Sequence, residues 1–411
     1  MRTEPDAGLP VPGTDSPAPQ PLASGYGLRL ALFFTALFLV AGTKLPFLPV
    51  WLDWRGLDKA EIAAVTAAPL FLRIVAGPLV AMAADWWGDR RQAGVLLAAL
   101  AVAGAVLLGL AHGFWTILAV ALVGALASMG LMPIAETLAM SGVRRGGLDY
   151  GRMRLWGSVS FVAVGFVAGP AIGLYGPGAV LALLVAGSVI TLAAALVLPA
   201  DPDRGHSGGR RPSLASLGRW ALAPRFIAFL VSAGAVQASH AVFYTFGVIE
   251  WQRQGFSATA CAGLWAVGVA TEIGLFAFSG AVVQRLGAVG LLLSGALAGV
   301  VRWAAMAFDP PLAALVPLQA LHGLTFGAAH LGALHFMSAF VPAGSAATAQ
   351  ALYASVTAGI AMGFATLAAG PLYAALGGRA YLAMAALALA GLAVTALLAR
   401  QSPLNRRGLP R

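Results

Sequence analysis

The chain has 411 residues, 60% of them hydrophobic and only 10% charged. Its mean hydropathy of +0.85 excludes a water-soluble fold of this size, because too few polar side chains exist to cover one. The net charge of +10 comes from basic residues placed between apolar runs, which points to membrane topology and not to nucleic acid, and the single cysteine, Cys261, excludes an internal disulfide.

Apolar runs that can cross a bilayer, about 20 residues each as helix, recur twelve times: 28–50, 59–84, 92–111, 114–141, 152–175, 178–199, 224–250, 257–283, 288–307, 311–340, 345–375 and 379–400. They are far too long for barrel strands. The expected fold class is therefore an all-α membrane protein of twelve transmembrane helices in two pseudo-symmetric six-helix halves. Residues 1–27, rich in Pro, Ala, Gly and Asp, are expected to form a disordered cytoplasmic tail. The first apolar run is too long for a signal peptide and is expected to stay as an anchor. Halves 28–200 and 224–400 flank a cytoplasmic linker, 201–223, and residues 401–411 form a second cytoplasmic tail. With the amino terminus cytoplasmic, 18 of the 25 Lys and Arg fall in inner loops and tails, four in outer loops (Arg55, Lys59, Arg253, Arg379) and three inside helices (Lys44, Arg73, Arg302). This asymmetry places both termini inside. Trp51, Trp54, Trp86, Trp87, Trp115, Trp156, Trp220, Trp251 and Trp303 lie near the ends of these runs, where an indole suits the headgroup layer.

The stretch Gly56–Arg91 is echoed in the second half. A register shift of 199 lays Gly56 on Gly255, Asp58 on Ser257, Arg73 on Glu272, Asp85 on Gln284 and Gly88 on Gly287. A charge at mid-bilayer costs about 2.5–3.5 kcal/mol on insertion scales, so each one is a functional candidate. Lys44, Arg73, Glu136, Glu272 and Arg302 qualify; for Lys44 and Arg302, close to outer helix ends, snorkelling is an equal alternative. Arg73 and Glu272 are expected to face the interface of the halves, as an ion pair or around a shared substrate group. Glu136 shares a helical face with Met129, Met132 and Met140, surroundings in which a carboxylate can carry a proton or meet a substrate. Helix seven presents Gln237, His240 and Tyr244, and helix ten Gln319, His322, Thr325 and His330. Trp265, seven residues before Glu272 on the same face, either packs between helices or lines a cavity. The spacing of His322, His330 and His335 matches no tight ligand motif, so neither a metal nor a cofactor is expected.

Ala81, Asp85, Gly88, Arg90 and Arg91 resemble the loop signature of the major facilitator superfamily, Gly-x-x-x-Asp-x-x-Gly-x-basic-basic, with Ala81 in place of its first glycine. Tyr150–Ser158 (YGRMRLWGS), Leu321–His330 (LHGLTFGAAH), Pro133-x-x-Glu136 and Arg302-Trp303 resemble the phenylpropionate-permease branch, itself similar to the lactose-permease-like proton symporters. The resemblance implies a central cavity lined by helices one, four, seven and ten, alternating access and proton coupling. Gly165–Gly173 (GFVAGPAIG) pulls the other way, since it resembles the helix-five signature of drug/proton antiporters; Gly363–Pro371 repeats a related pattern.

The expected function is secondary active transport, with proton-coupled uptake of a small organic carboxylate, an aromatic one among the candidates. Proton-coupled efflux of amphipathic drugs, or uptake of a sugar or nucleoside, stands as the alternative. Expected substrate contacts are Lys44, Arg73, Glu136, Gln237, His240, Tyr244, Trp265 and Glu272, and expected proton carriers are Glu136, Glu272, His322 and His330. Asp85, Gly88, Arg90, Arg91, Arg152 and Arg154 are expected to gate the cytoplasmic side, where an acid at a helix end can lock and release arginines as the halves rock. No nucleophile–base constellation is present, so no enzyme is expected. Small molecules, protons and the lipid bilayer are the expected partners of a monomer in a bacterial inner membrane.

Overall fold

The computed structural model describes residues 22–87, 89–200, 218–342 and 345–400. Residues 1–21 of the expected amino-terminal tail, the carboxy-terminal tail, most of the linker and Gly88 lie outside the described residues, whereas Tyr26 and Gly27, expected in that tail, begin the first helix. The first half of the chain forms α1 (Tyr26–Trp54), α2 (Lys59–Trp87), α3 (Arg90–Leu110), α4 (Phe114–Met129), α5 (Leu131–Gly146), α6 (Tyr150–Tyr175) and α7 (Ala179–Leu196). The second half forms α8 (Pro224–Ala238), α9 (Ala241–Arg253), α10 (Ala258–Ala277), α11 (Ser279–Met306), α12 (Leu312–Ala320), α13 (Ala329–Phe340), α14 (Ala346–Ala354), α15 (Met362–Leu376) and α16 (Tyr381–Arg400).

These helices combine into twelve spans. Gly130 joins α4 to α5, Ser239 and His240 join α8 to α9, and π-helical turns at Gly323–Ala328 and Ser355–Ala361 join α12 to α13 and α14 to α15. Among the described residues, eleven helical runs are long and apolar enough to cross a membrane. The last, Ala346–Arg400, has 55 residues, more than twice what a core of about 30 Å requires at 1.5 Å per residue. It folds back at Gly377, whose φ of 54° makes the turn, and so supplies two spans.

The repeat is visible in local hydrogen bonding. Gly56 (φ 84°) and Gly255 (φ 91°) both end a span in the left-handed region that favours glycine. The next residue's N–H reaches back five residues in each case, Leu57 to the Leu52 carbonyl and Phe256 to that of Trp251. This is a Schellman-type stop. Asp58 then caps α2, its carboxylate accepting from the Glu61 N–H while Glu61 accepts from the Asp58 N–H, and Ser257 caps α10 through the Ala260 N–H.

Packing divides the molecule along its length. At the end where α1 finishes and α2 begins, one apolar core spans both halves, with Phe47, Trp51, Ile62 and Ile172 packed together with Phe243, Phe246, Trp265 and Tyr373. At the other end the halves hold separate cores, Leu30, Phe33, Phe34, Ile134 and Leu198 in one and Phe226, Phe229, Leu292, Phe336 and Leu398 in the other. The molecule is therefore closed at one end and parted at the end near the chain termini. Two crossings close it tightly. A Cβ on Gly169 of α6 would sit 2.6 Å from the Thr259 Cα, and one on Gly370 of α15 would sit 2.7 Å from the Lys59 carbonyl oxygen.

The expected headgroup position of the tryptophans needs correction. Trp54, Trp115 and Trp156 are exposed, but Trp51, Trp251 and Trp303 are almost fully buried in the closed-end core. Depth along a helix does not fix which way a ring points, and these three point inward. Trp303 stacks on Tyr381 and donates its indole N–H to Ser239 at 2.9 Å.

Candidate functional site

The helical breaks place polar side chains deep in the second half. His240 sits at the α8–α9 break, and His322 and Thr325 lie at and within the π-helical turn of the tenth span. Extra turn width at a π segment or a break lets a side chain reach a neighbour that a regular helix would pass by. Arg302 of α11 is the centre of the resulting network. It is fully buried and donates to Gln319 Oε1 at 2.5 Å and to Thr325 Oγ1 at 3.1 Å, with His322 Nδ1 also at 3.1 Å. His240 Nε2 meets the same Thr325 hydroxyl at 3.0 Å. The guanidinium also lies 4.8 Å from the Phe243 ring centre and 4.5 Å from that of Trp303. A buried cation surrounded by acceptors and ring faces is held rigidly.

Glu272 links this network to the space between the halves. Its Oε2 is 3.8 Å from His322 Nε2, and its other charged neighbour is Arg154, which comes from the first half. Arg154 lies flat over the Phe38 ring, 3.9 Å from its centre, and is within electrostatic range of Tyr150, Glu136 and Glu272. Glu136 in turn senses Arg154 and Arg73. Glu136 and Arg73 are exposed although both stand on membrane-spanning helices. Lys44 is half-buried within α1 and has no hydrogen-bond or ion-pair partner among the described residues.

The structure joins His240 and His322 to Arg302 in one network with Glu272 3.8 Å from His322, and it bears on two relationships. Among the described residues Arg73 and Glu272 form no ion pair; Arg73 is within electrostatic range of Glu136, and Arg154 of both Glu136 and Glu272. Arg154, expected at the gate, stands at this charged site. Its guanidinium reaches across from α6 to Phe38 of α1. Trp265 packs between helices at 6% exposure, stacked on Phe243 at 4.7 Å and facing Phe161 of the other half at 6.3 Å. Tyr244 stacks beside it, and Gln237 is half-buried without a side-chain hydrogen bond among the described residues. His330 lies apart from the hydrogen-bonded chain, stacked on Phe326, which itself stacks on His322.

Of the expected gate, Arg91 donates to the Leu196 carbonyl at 2.6 Å, tying α3 to α7, and Arg152 pairs with Asp149 at 3.7 Å on an exposed surface. Arg90 begins α3. The Asp85 side chain and Gly88 lie outside the described residues. Among the described residues no cluster of His, Cys, Asp and Glu could hold a metal ion.

Residues 27–383 match the MFS_1-like family. The chain belongs to that family of major-facilitator transporters. A probable 3-phenylpropionic acid transporter of Escherichia coli (strain K12) is 33% identical to it over 88% of this chain and 94% of its own length. A maltose permease of Geobacillus stearothermophilus is 30% identical over 90% and 94%. Among solved structures, the nucleoside transporter NupG superposes with a TM-score of 0.78 at 16% identity, covering 91% of this chain and 98% of that one. A bacterial homologue of the human lysosomal transporter Spinster, solved inward-facing and unoccupied, gives 0.73 at 18%, covering 94% and 99%. The chain is a secondary transporter and not an enzyme.

For this MFS_1-like transporter, sequence reasoning left Arg302 open and did not single out Glu250. Glu250 is fully buried near the closed end, accepting from Tyr373 at 2.6 Å and from Arg253 at 2.5 Å, with Asp309 as a second partner of Arg253 at 2.9 Å. Its position one helical turn from a Trp-bearing span end gave no signal of burial. The antiporter-like GFVAGP stretch also has a plain structural use, since Gly169 and Gly370 of the two related stretches make the paired crossings of the closed end.

Proposed function

We propose that this transporter takes up a small aromatic carboxylate together with protons, alternating between a state open to the cytoplasm, as here, and one open to the outside. The observation that carries this reading is charge balance. Apart from the Glu250–Arg253 pair at the closed end, Lys44, Arg73, Arg154 and Arg302 stand in the membrane-spanning part against the two carboxylates of Glu136 and Glu272. An excess of cations in low-dielectric surroundings favours an anionic guest. Arg154 makes no ion pair within 4 Å among the described residues, and its position on Phe38 beside Tyr150 offers a carboxylate a guanidinium and a ring a stacking partner. Glu272, within reach of both Arg154 and His322, is suited to exchange a proton as the substrate carboxylate comes and goes. In the same reading the termini are cytoplasmic, the membrane is the bacterial inner membrane, a monomer suffices, and Asp85, Gly88, Arg90, Arg91 and Arg152 serve the gate at the open end.

The likeness to a phenylpropionic acid transporter supports the carboxylate, and that to a maltose permease favours a neutral sugar as the second reading. Purified protein in liposomes with an alkaline interior separates them. Labelled 3-phenylpropionate should accumulate, and a protonophore should abolish the accumulation. Accumulation of maltose instead, with no response to 3-phenylpropionate, would replace the carboxylate by a sugar.

A further inference from the structure

Gly157 of α6 is buried beside the candidate site. The three atoms nearest to a Cβ placed there all belong to one pair of side chains, Phe38 Cδ2 at 2.9 Å, Phe38 Cγ at 3.1 Å and Arg154 Nη1 at 3.1 Å. These are the guanidinium and the ring that lie 3.9 Å apart. The bare Cα of Gly157 therefore faces the line along which the cation and the ring meet.

The contrast with Gly42 of α1 separates this from ordinary helix packing. A Cβ on Gly42 would lie 2.7 Å from the Phe161 carbonyl oxygen and 3.0 Å from the Phe161 Cα, so there the backbones of α1 and α6 themselves touch. On the other side of Phe38, Ser160 Oγ donates to the Thr35 carbonyl at 3.0 Å and fastens the same two helices. Thr35 and Gly42 flank Phe38, each about one turn away along α1. Backbones held on both sides cannot part to admit a side chain at 157, so the strain of one falls on the Arg154 and Phe38 side chains. Arg154 is the freer of the two, being half-buried and without an ion pair within 4 Å among the described residues. It also stands within electrostatic range of Glu136 in its own half and of Glu272 in the other, so any shift of the guanidinium is felt on both sides of the space between the halves.

We infer that Gly157 is a positioning residue of the substrate site: its missing Cβ lets the Arg154 guanidinium lie flat on Phe38, at the point where a substrate carboxylate is received. The inference rests on the carboxylate reading proposed above. Gly157 touches no substrate and acts through Arg154 alone. Charge-assisted hydrogen bonds from a guanidinium to a carboxylate depend on the alignment of the two planes, so moving Arg154 costs affinity even though its charge is kept.

Gly157→Ala in full-length purified protein tests it, with Gly165→Ala as the comparison, since a Cβ at 165 meets only the Ala262 Cβ at an ordinary 3.6 Å. Equilibrium binding of 3-phenylpropionate, thermal melting without substrate, and phenylglyoxal labelling of Arg154 followed by peptide mass spectrometry are the three readouts. Gly157→Ala should weaken binding about fivefold, less than loss of the guanidinium itself would cost, and should speed labelling of Arg154 as the guanidinium leaves the ring. Alanine is the better helix former, so the melting temperature should not fall. Gly165→Ala should match the parent in binding and in labelling. Labelling at the parent rate in Gly157→Ala would overturn the role, and a lower melting temperature with unchanged labelling would reduce Gly157 to a packing contact. Faster labelling in Gly157→Ala when the parent binds no 3-phenylpropionate would uphold the placement of Arg154 and count against the carboxylate instead.

Discussion

At the scale of single residues, the two arginines near the candidate site differ in what their loss should do. Arg154 is held by a ring face and by no ion pair among the described residues, so Arg154→Gln should leave the fold intact and lower apparent affinity for 3-phenylpropionate about tenfold; equilibrium binding by purified protein measures it. Arg302 is the hub of a buried network, and Arg302→Met leaves Gln319 without its charged partner and removes the donor shared by His322 and Thr325. That variant should lose about 3–5 kcal/mol of stability, seen as a lower melting temperature without substrate present. Glu272→Gln keeps the shape of the site but cannot release a proton. It should preserve exchange of labelled for unlabelled substrate while abolishing uphill accumulation; unimpaired accumulation would remove Glu272 from proton coupling. The sequence made Arg73, Glu136 and Glu272 conspicuous because charge in an apolar run is costly wherever its side chain points. It could not separate Arg302 from a snorkelling residue, because distance from a helix end was legible and the direction of the side chain was not. The same limit hid Glu250.

At the scale of elements, the spans were legible because each is a long apolar run, and the 199-residue echo extends down to the glycine stops at Gly56 and Gly255. The breaks were not legible. Nothing in Leu321–His330 marks a π-helical turn, since its local preference is helical and the extra residue per turn is set by packing around Thr325. The crossings at Gly169 and Gly370 give the clearest test at this scale. A valine at either position puts methyl groups where backbone atoms of the other half now lie, so Gly169→Val and Gly370→Val should each push the closed end apart. Cys261 reports it directly, being the only cysteine and fully buried in the core that joins the halves. Its alkylation by a water-soluble maleimide should speed up in both variants. Unchanged protection in both would show that these crossings do not hold the end shut.

At the scale of the whole molecule, the two ends are built from different materials. The closed end is an aromatic and aliphatic core continuous across the halves, whereas the open end carries Asp89, Arg90, Arg91, Asp149 and Arg152 at the starts of helices outside two separate cores. Under the gating proposed above, closing the open end would bring these first-half helix starts toward the other half, where Arg225 and Arg285 lie, so that step should respond to salt, with the Debye length falling to about 3 Å at 1 M. Spin labels placed across the open end should report a larger open fraction at high salt than at low salt, and an unchanged fraction would show that charge does not hold that end closed. The apolar seam responds to a different variable. Hydrophobic association weakens on cooling, so cold should loosen the end that salt leaves alone. A transporter fastened by apolar surface on one side and by charge on the other has a resting state set by its surroundings, and temperature and ionic strength become two independent handles on which side of the membrane it faces.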